Sequence, residues 1–289
     1  MRAVLPDLLM DKILTIADHS RYFKNCTYIY PVVSRRSNGI SLGINLNLNN
    51  ACNWRCVYCQ VEGLIRGKPN PIDLVKLEFE LDQMLDWIIN GDFIQQFAPI
   101  NLRRFNDICL AGNGEPTLSV DFVAACEIIA KLRLKYQLAG QVKTILITNG
   151  SEMHKLQVQS GLRLIAANNG EVWFKIDRGT QLGIQNVNQV GLSLSSVVQH
   201  LKTSASLCLT QVQSCWFAIG KIEPSLAEVE EFVSLVVSIK SYISGVLLYS
   251  TARNPALAEG ATISQVSELF MLNLKAKLES HGIKVKSYL

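Results

Sequence analysis

No run of 18 uncharged apolar residues occurs in this 289-residue chain, so nothing in it reads as a transmembrane helix. The stretch 233–249 comes nearest, and Lys240 and several serines interrupt it. A secretory signal is also lacking: Pro6, Asp7 and Asp11 stand where an apolar stretch would be needed. The expected compartment is the cytoplasm, where thiols stay reduced. Charge is sparse, at 18% of residues with a net +4. Residues 1–40 carry +3 and residues 251–289 carry +2. That mild basic rim suits a solvated surface and leaves room for a phosphate-bearing partner. No tract is low in complexity and 48% of residues are hydrophobic, which excludes a disordered chain.

What the sequence does have is alternation. Strand-like runs at 41–47, 107–111, 143–148, 172–176, 209–219 and 245–249 are separated by helical patterns at 73–89, 122–138, 154–167, 194–202 and 225–239. A last helix at 264–281, capped by Thr262 or Ser264 and stopped by Gly282, leads to a strand at 283–286. A short amphipathic helix is expected at 5–17. Residues 20–40 read as irregular, because Pro31, Asn38 and Gly39 break any pattern. Six βα units in a row imply a parallel sheet wound in one direction. The expected fold is therefore α/β, a partial (β/α)6 TIM-like barrel over 41–250. It has an N-terminal extension at 1–40 and a C-terminal helix and strand at 251–289.

In such barrels the chemistry gathers at the C-terminal ends of the strands. The period of two agrees. Leu42, Ile44 and Leu46 alternate with Gly43, Asn45 and Asn47, and Val172, Phe174 and Ile176 alternate with Trp173, Lys175 and Asp177. Polar side chains at strand ends suit a wet lumen or a bound ligand.

Directly after the first of these strands stand Cys52, Cys56 and Cys59, three cysteines in eight residues. Thiolates are the ligands of iron–sulfur clusters, and a short loop can wrap three of them around one cubane. Three ligands leave one iron open, as a catalytic zinc site leaves one position open. Structural zinc wants four Cys or His ligands, yet the nearest other cysteine is Cys26 and none of the four histidines is adjacent. An electron-transfer ferredoxin needs a fourth ligand and far less chain. Cys109 and Cys126 read as small core residues, and Cys208 and Cys215, seven apart, fall on opposite faces of one strand.

The cysteine spacing, with Tyr58 before the third cysteine, resembles the signature of the radical S-adenosylmethionine superfamily. Further segments fall in that superfamily's order: Gly112-Asn113-Gly114-Glu115-Pro116, Thr148-Asn149-Gly150, Lys175-Ile176-Asp177 and Tyr249-Ser250-Thr251-Ala252-Arg253. The flanks, Ser34-Arg35-Arg36, Ser41-Leu42-Gly43-Ile44 and Cys59-Gln60, resemble the branch related to the wyosine-base synthases of tRNA. The resemblance covers about residues 30–255. It departs at Asn113, at Arg178-Gly179, and through 179–195, which match nothing in the pattern.

The resemblance implies a 4Fe-4S cluster on Cys52, Cys56 and Cys59 that binds S-adenosylmethionine and cleaves it to a 5′-deoxyadenosyl radical. It implies that Tyr58, Gly112, Asn113, Gly114 and Glu115 surround the methionine end. Thr148, Asn149, Lys175 and Asp177 would then take the carboxylate and ribose. Each has a plainer reading too: Glu115 as a cap, Asn149 as a turn former, Lys175 and Asp177 as a pair, Arg35, Arg36 and Arg253 as surface charges. A flavodoxin- or ferredoxin-like reductant is the implied partner. The substrate is open among a tRNA base, a small molecule and a peptide. A redox sensor or electron carrier holding the same cluster is the alternative.

Overall fold

The computed structural model describes residues 13–15, 20–34 and 36–289. The helix expected at 5–17 lies almost wholly outside the described residues, as does Arg35. Eight strands form one sheet: β1 (Ile29–Ser34), β2 (Gly39–Ile44), β3 (Phe105–Leu110), β4 (Lys143–Thr148), β5 (Gly170–Lys175), β6 (Leu209–Cys215), β7 (Val246–Tyr249) and β8 (Val285–Tyr288). They lie side by side in chain order. β2 to β8 are all parallel and β1 pairs antiparallel with β2. The sheet curls into a partial barrel around a lumen, so the expected parallel architecture is the one observed.

Helices fill each crossover: α1 (Leu74–Ile89), α2 (Phe122–Lys135), α3 (Leu156–Ala167), α4 (Gln181–Asn188) and α5 (Leu194–Leu207) together, α6 (Leu226–Ser238), and α7 (Glu268–Ser280). Their apolar faces bury Leu81, Leu85, Ile129, Leu162, Leu201 and Phe232 against the outward-facing Leu42, Ile108, Leu146, Val172 and Val212. Each such side chain contributes about 1.5–3 kcal/mol by leaving water. Asp73 caps α1, and Ser225 with Glu228 forms a reciprocal capping box on α6. No helix among the described residues is long and apolar enough to cross a membrane.

Four expectations need correction. Residues 29–34 are a strand despite Pro31. Proline is tolerated because β1 is at the sheet edge, where no second neighbour needs its N–H. The run 209–219 is two strands: Trp216 breaks the ladder, and Phe217–Ile219 pairs instead with Ile263–Gln265. Ser264 therefore lies in a strand, and Ser267 caps α7. The unmatched segment 179–195 contains α4. The described parts of both presumed extensions add a strand to the sheet, β1 from 1–40 and β8 from 251–289.

Candidate active site

The period-two alternation puts one face of every strand into the lumen, which holds a cavity of about 300 Å³. Cys52, Cys56 and Cys59 all border this cavity, with Tyr58 between them. So do Gly112, Gly114, Glu115, Thr148, Asn149 and Lys175. Asn113 and Asp177 do not. Cys109 is buried as expected, in an apolar cluster with Ile145, Trp173 and Leu247, and also borders the cavity, whereas Cys126 is packed in the helix layer.

The cysteine loop is fastened on three sides. Cys52 ends a two-residue strand, Ala51–Cys52, that pairs with Ile65–Arg66. The amides of Arg55 and Val57 donate to the carbonyls of Asn188 and Val187 at the end of α4, at 3.1 and 2.9 Å. The carbonyl of Cys59 accepts from Ala256 N at 2.7 Å. Asn53 completes the attachment: its amide donates to Ser151 Oγ at 2.7 Å and its oxygen accepts from Asn149 Nδ2 at 2.9 Å.

Asp177 is fully buried, and its carboxylate is a junction. It accepts from the Tyr58 hydroxyl, from Asn188 Nδ2 at 2.7 Å and from the Cys215 amide at 2.8 Å. Asn188 Nδ2 also reaches Cys56 Sγ at 3.3 Å. One buried acid thus joins the end of β5, α4 and the cysteine loop. No pair forms with Lys175, whose ammonium lies 4.8 Å from the Tyr58 ring centroid and 3.2 Å from the Tyr249 hydroxyl. Burial opposes the Lys175 charge, but Tyr249, Asp177 and Cys56 outweigh it and hold the ammonium above its usual range.

Glu115 is the second junction. It is 3% exposed and accepts from Thr117 N and Oγ1, Thr148 Oγ1 and Asn149 N, at 3.1, 2.6, 2.7 and 2.6 Å. Burial raises its carboxyl above the ordinary value, and these donors act against the rise. Gly112 and Gly114 are required by the chain's own packing. A Cβ on Gly112 would sit 2.2 Å from Asn45 Oδ1, and one on Gly114 would sit 2.0 Å from the Ala51 carbonyl. Asn113 faces Asn50 and Arg21, each at 2.7 Å. Asn47, read from the strand period as facing the lumen, does not border the cavity and instead donates to the carbonyls of Ala51 and Glu115. Asn188 was missed altogether, since a lone amide in an unmatched segment gives no signal.

Burial pushes the Cys52 thiol up to about 12 and the Cys56 thiol up to about 11. Thiols so placed give up their protons to a metal rather than to water. All are free of disulfides. Among the described residues, no three His, Cys, Asp or Glu side chains converge as one metal ion would require.

A curled parallel sheet with helices in its crossovers is a partial barrel, a fold this chain shares with several solved structures. Among solved structures, a radical SAM methyltransferase from Sphaerobacter thermophilus superposes with a TM-score of 0.62 at 10% identity, covering 90% of this chain and 68% of that one. TYW1 with a lysine-pyruvate adduct bound gives 0.56 at 14% identity, covering 83% and 73%. Native anSMEcpe with bound AdoMet and Kp18Cys peptide gives 0.57 at 16%, covering 85% and 63%. In sequence, a UPF0026 protein of Helicobacter pylori is 32% identical over 134 residues, 46% of this chain and 38% of that protein. The match thus spans little more than a third of that relative. No protein-family model matches the chain.

Proposed function

We propose that this protein is a radical S-adenosylmethionine enzyme, with Cys52, Cys56 and Cys59 holding a 4Fe-4S cluster that leaves one iron for the cofactor. The observation that carries the reading is that three disulfide-free thiols border the same lumen as the glycine turn, Thr148, Asn149 and Lys175. When bound, such a cluster supplies the electron that cleaves S-adenosylmethionine to a 5′-deoxyadenosyl radical.

The chain's share is placement and exclusion of water. Asp177 and Asn188 hold the loop at Tyr58 and Cys56, so the middle ligand is fixed from behind. Glu115 has its oxygens engaged, so its role is to fix the glycine turn and the Thr148–Asn149 corner against each other. Lys175 is the cation beside the cysteine loop that would face a carboxylate. Trp54 and Val61, both buried, border the cavity beside the cysteines and keep that end dry. A flavodoxin- or ferredoxin-like protein is the proposed reductant.

The test is anaerobic reconstitution with iron and sulfide, followed by dithionite and S-adenosylmethionine. The expected result is 5′-deoxyadenosine well above a Cys56→Ala control. No product above that control, with the cluster assembled and reversibly reducible, would make the protein an electron carrier or redox sensor.

A further inference from the structure

Away from the cysteine loop, the lumen holds a guanidinium that is tied into no salt bridge among the described residues. Arg36, in the turn between β1 and β2, places its guanidinium 5.2 Å from the Trp173 ring centroid and 5.3 Å from that of Tyr249. All three residues border the lumen cavity. Stacking on ring faces leaves the guanidinium edge, with its fork of N–H donors, open toward the cavity. Among the described residues Arg36 makes no ion pair.

The carboxylates that face it are otherwise engaged or aimed elsewhere. Glu171 is held by Lys143 Nζ and by Trp173 Nε1, each at 2.8 Å. Asp107, 2% exposed, accepts from the Ser41 hydroxyl through one oxygen; the Ser37 hydroxyl and the Arg36 charge also act on its carboxylate, and its Oδ2 has no hydrogen bond of ordinary geometry. Opposite lies Gln213, 1% exposed, whose Nε2 is also buried without a partner. Both residues border the same cavity. Buried polar groups are normally satisfied, so two unpaired polar atoms lining the same cavity as a guanidinium in no ion pair describe a binding site rather than a packed core.

We infer that this part of the lumen receives a small oxyanion-bearing molecule, its carboxylate or phosphate taken by the Arg36 edge and Gln213 Nε2 and a hydroxyl or N–H of the same molecule donated to Asp107. Arg36, Asp107 and Gln213 all face the lumen rather than the outer surface, which sets a free small molecule ahead of a nucleic acid or a protein chain. Tyr249 stacks on Arg36 and also contacts Lys175 beside the cysteine loop, so the bound molecule lies one side chain from the cofactor end. Its assignment as the substrate rests on the radical enzyme reading. The oxyanion site itself stands without it.

The test is binding to the full-length protein, followed by 19F NMR with trifluoroacetate and by 31P NMR with methylphosphonate. The two probes separate a carboxylate site from a phosphoryl one. Saturable line broadening is expected with at least one probe, and an affinity at least about tenfold weaker in Arg36→Gln. Arg36→Lys, which keeps the charge but loses the fork, and Gln213→Leu are expected to fall between. They carry the test if Arg36→Gln does not fold. Arg253→Gln and the triple Cys52→Ser, Cys56→Ser, Cys59→Ser variant are expected to bind both probes as the wild type does, so loss of radical chemistry leaves this result intact. Reconstituted Arg36→Gln is expected to retain S-adenosylmethionine. Absence of saturable binding by either probe, equal binding in Arg36→Gln and wild type, or loss of S-adenosylmethionine in that variant would each overturn the proposal.

Discussion

The hydroxyl of Tyr58 donates to the buried carboxylate of Asp177, 119 residues away in sequence. Strand β5 therefore continues into the residue that anchors the cysteine loop. Tyr58→Phe removes this bond and leaves Asp177 with two donors. It is expected to cost about 1.5–3 kcal/mol, the range for a bond to a charged group, in urea unfolding. In a cycle with Asp177→Asn the two effects should be far from additive. Additive losses would show that the contact is incidental.

Glu115→Gln replaces an acceptor by an amide that presents hydrogens to some of four donors. Stability should drop by about 3 kcal/mol, with a lower midpoint of thermal unfolding. An unchanged midpoint would mean that the turn is held without this acid.

Gly114→Ala sets a methyl 2.0 Å from the Ala51 carbonyl and 2.8 Å from Asn47 Nδ2. Neither neighbour is the free end of a flexible chain, so the segment bearing Cys52 has to move. A loss of about 1–3 kcal/mol is expected. Alkylation mass spectrometry should show Cys52 reacting faster while Cys126 in α2 stays protected. A rate for Cys52 equal to that in wild type would contradict the clash.

Burial raises the Asp107 carboxyl from its ordinary 3.8 to about 6, against the bond from Ser41. An acid held above its unfolded value favours the fold while protonated. Its contribution is complete below pH 3.8 and is lost as pH rises through about 6. Asp107→Asn should remove that slope and be more stable than wild type at pH 8 by roughly 3 kcal/mol at most. Urea midpoints from pH 4 to 8 would decide. Parallel curves for the two proteins would rule out Asp107 as the cause.

The parallel sheet was readable because β2 to β7 each carry a run that alternates or is bounded by turns, and α1 to α3 carry a clean helical period. Tertiary context overrode local signals elsewhere. Pro31 reads as a breaker, yet an edge position removes the objection. Trp216 continues an apolar run, yet its amide makes the last bond to β7, at Tyr249 O, and Phe217–Ile219 then pairs with Ile263–Gln265. The three cysteines announced a site by spacing alone. Glycines 112 and 114 were legible as a tight approach, but their partner is the chain's own loop. The amides Asn47, Asn53 and Asn188 fasten that loop, and no pattern distinguishes them from any other asparagine. Arg36 read equally well as a surface charge. Only the curl of the hairpin turns it inward.

β1 and β8 are the sheet's two outer strands, and they share no ladder. At one corner the Tyr288 hydroxyl donates to the Arg36 carbonyl at 3.1 Å. This contact is a latch of one phenol where every other strand boundary is zipped along its length. The barrel is therefore left unclosed at that seam, on the side of the lumen that Arg36 borders. The residue that guards that seam is the same one whose guanidinium waits inside.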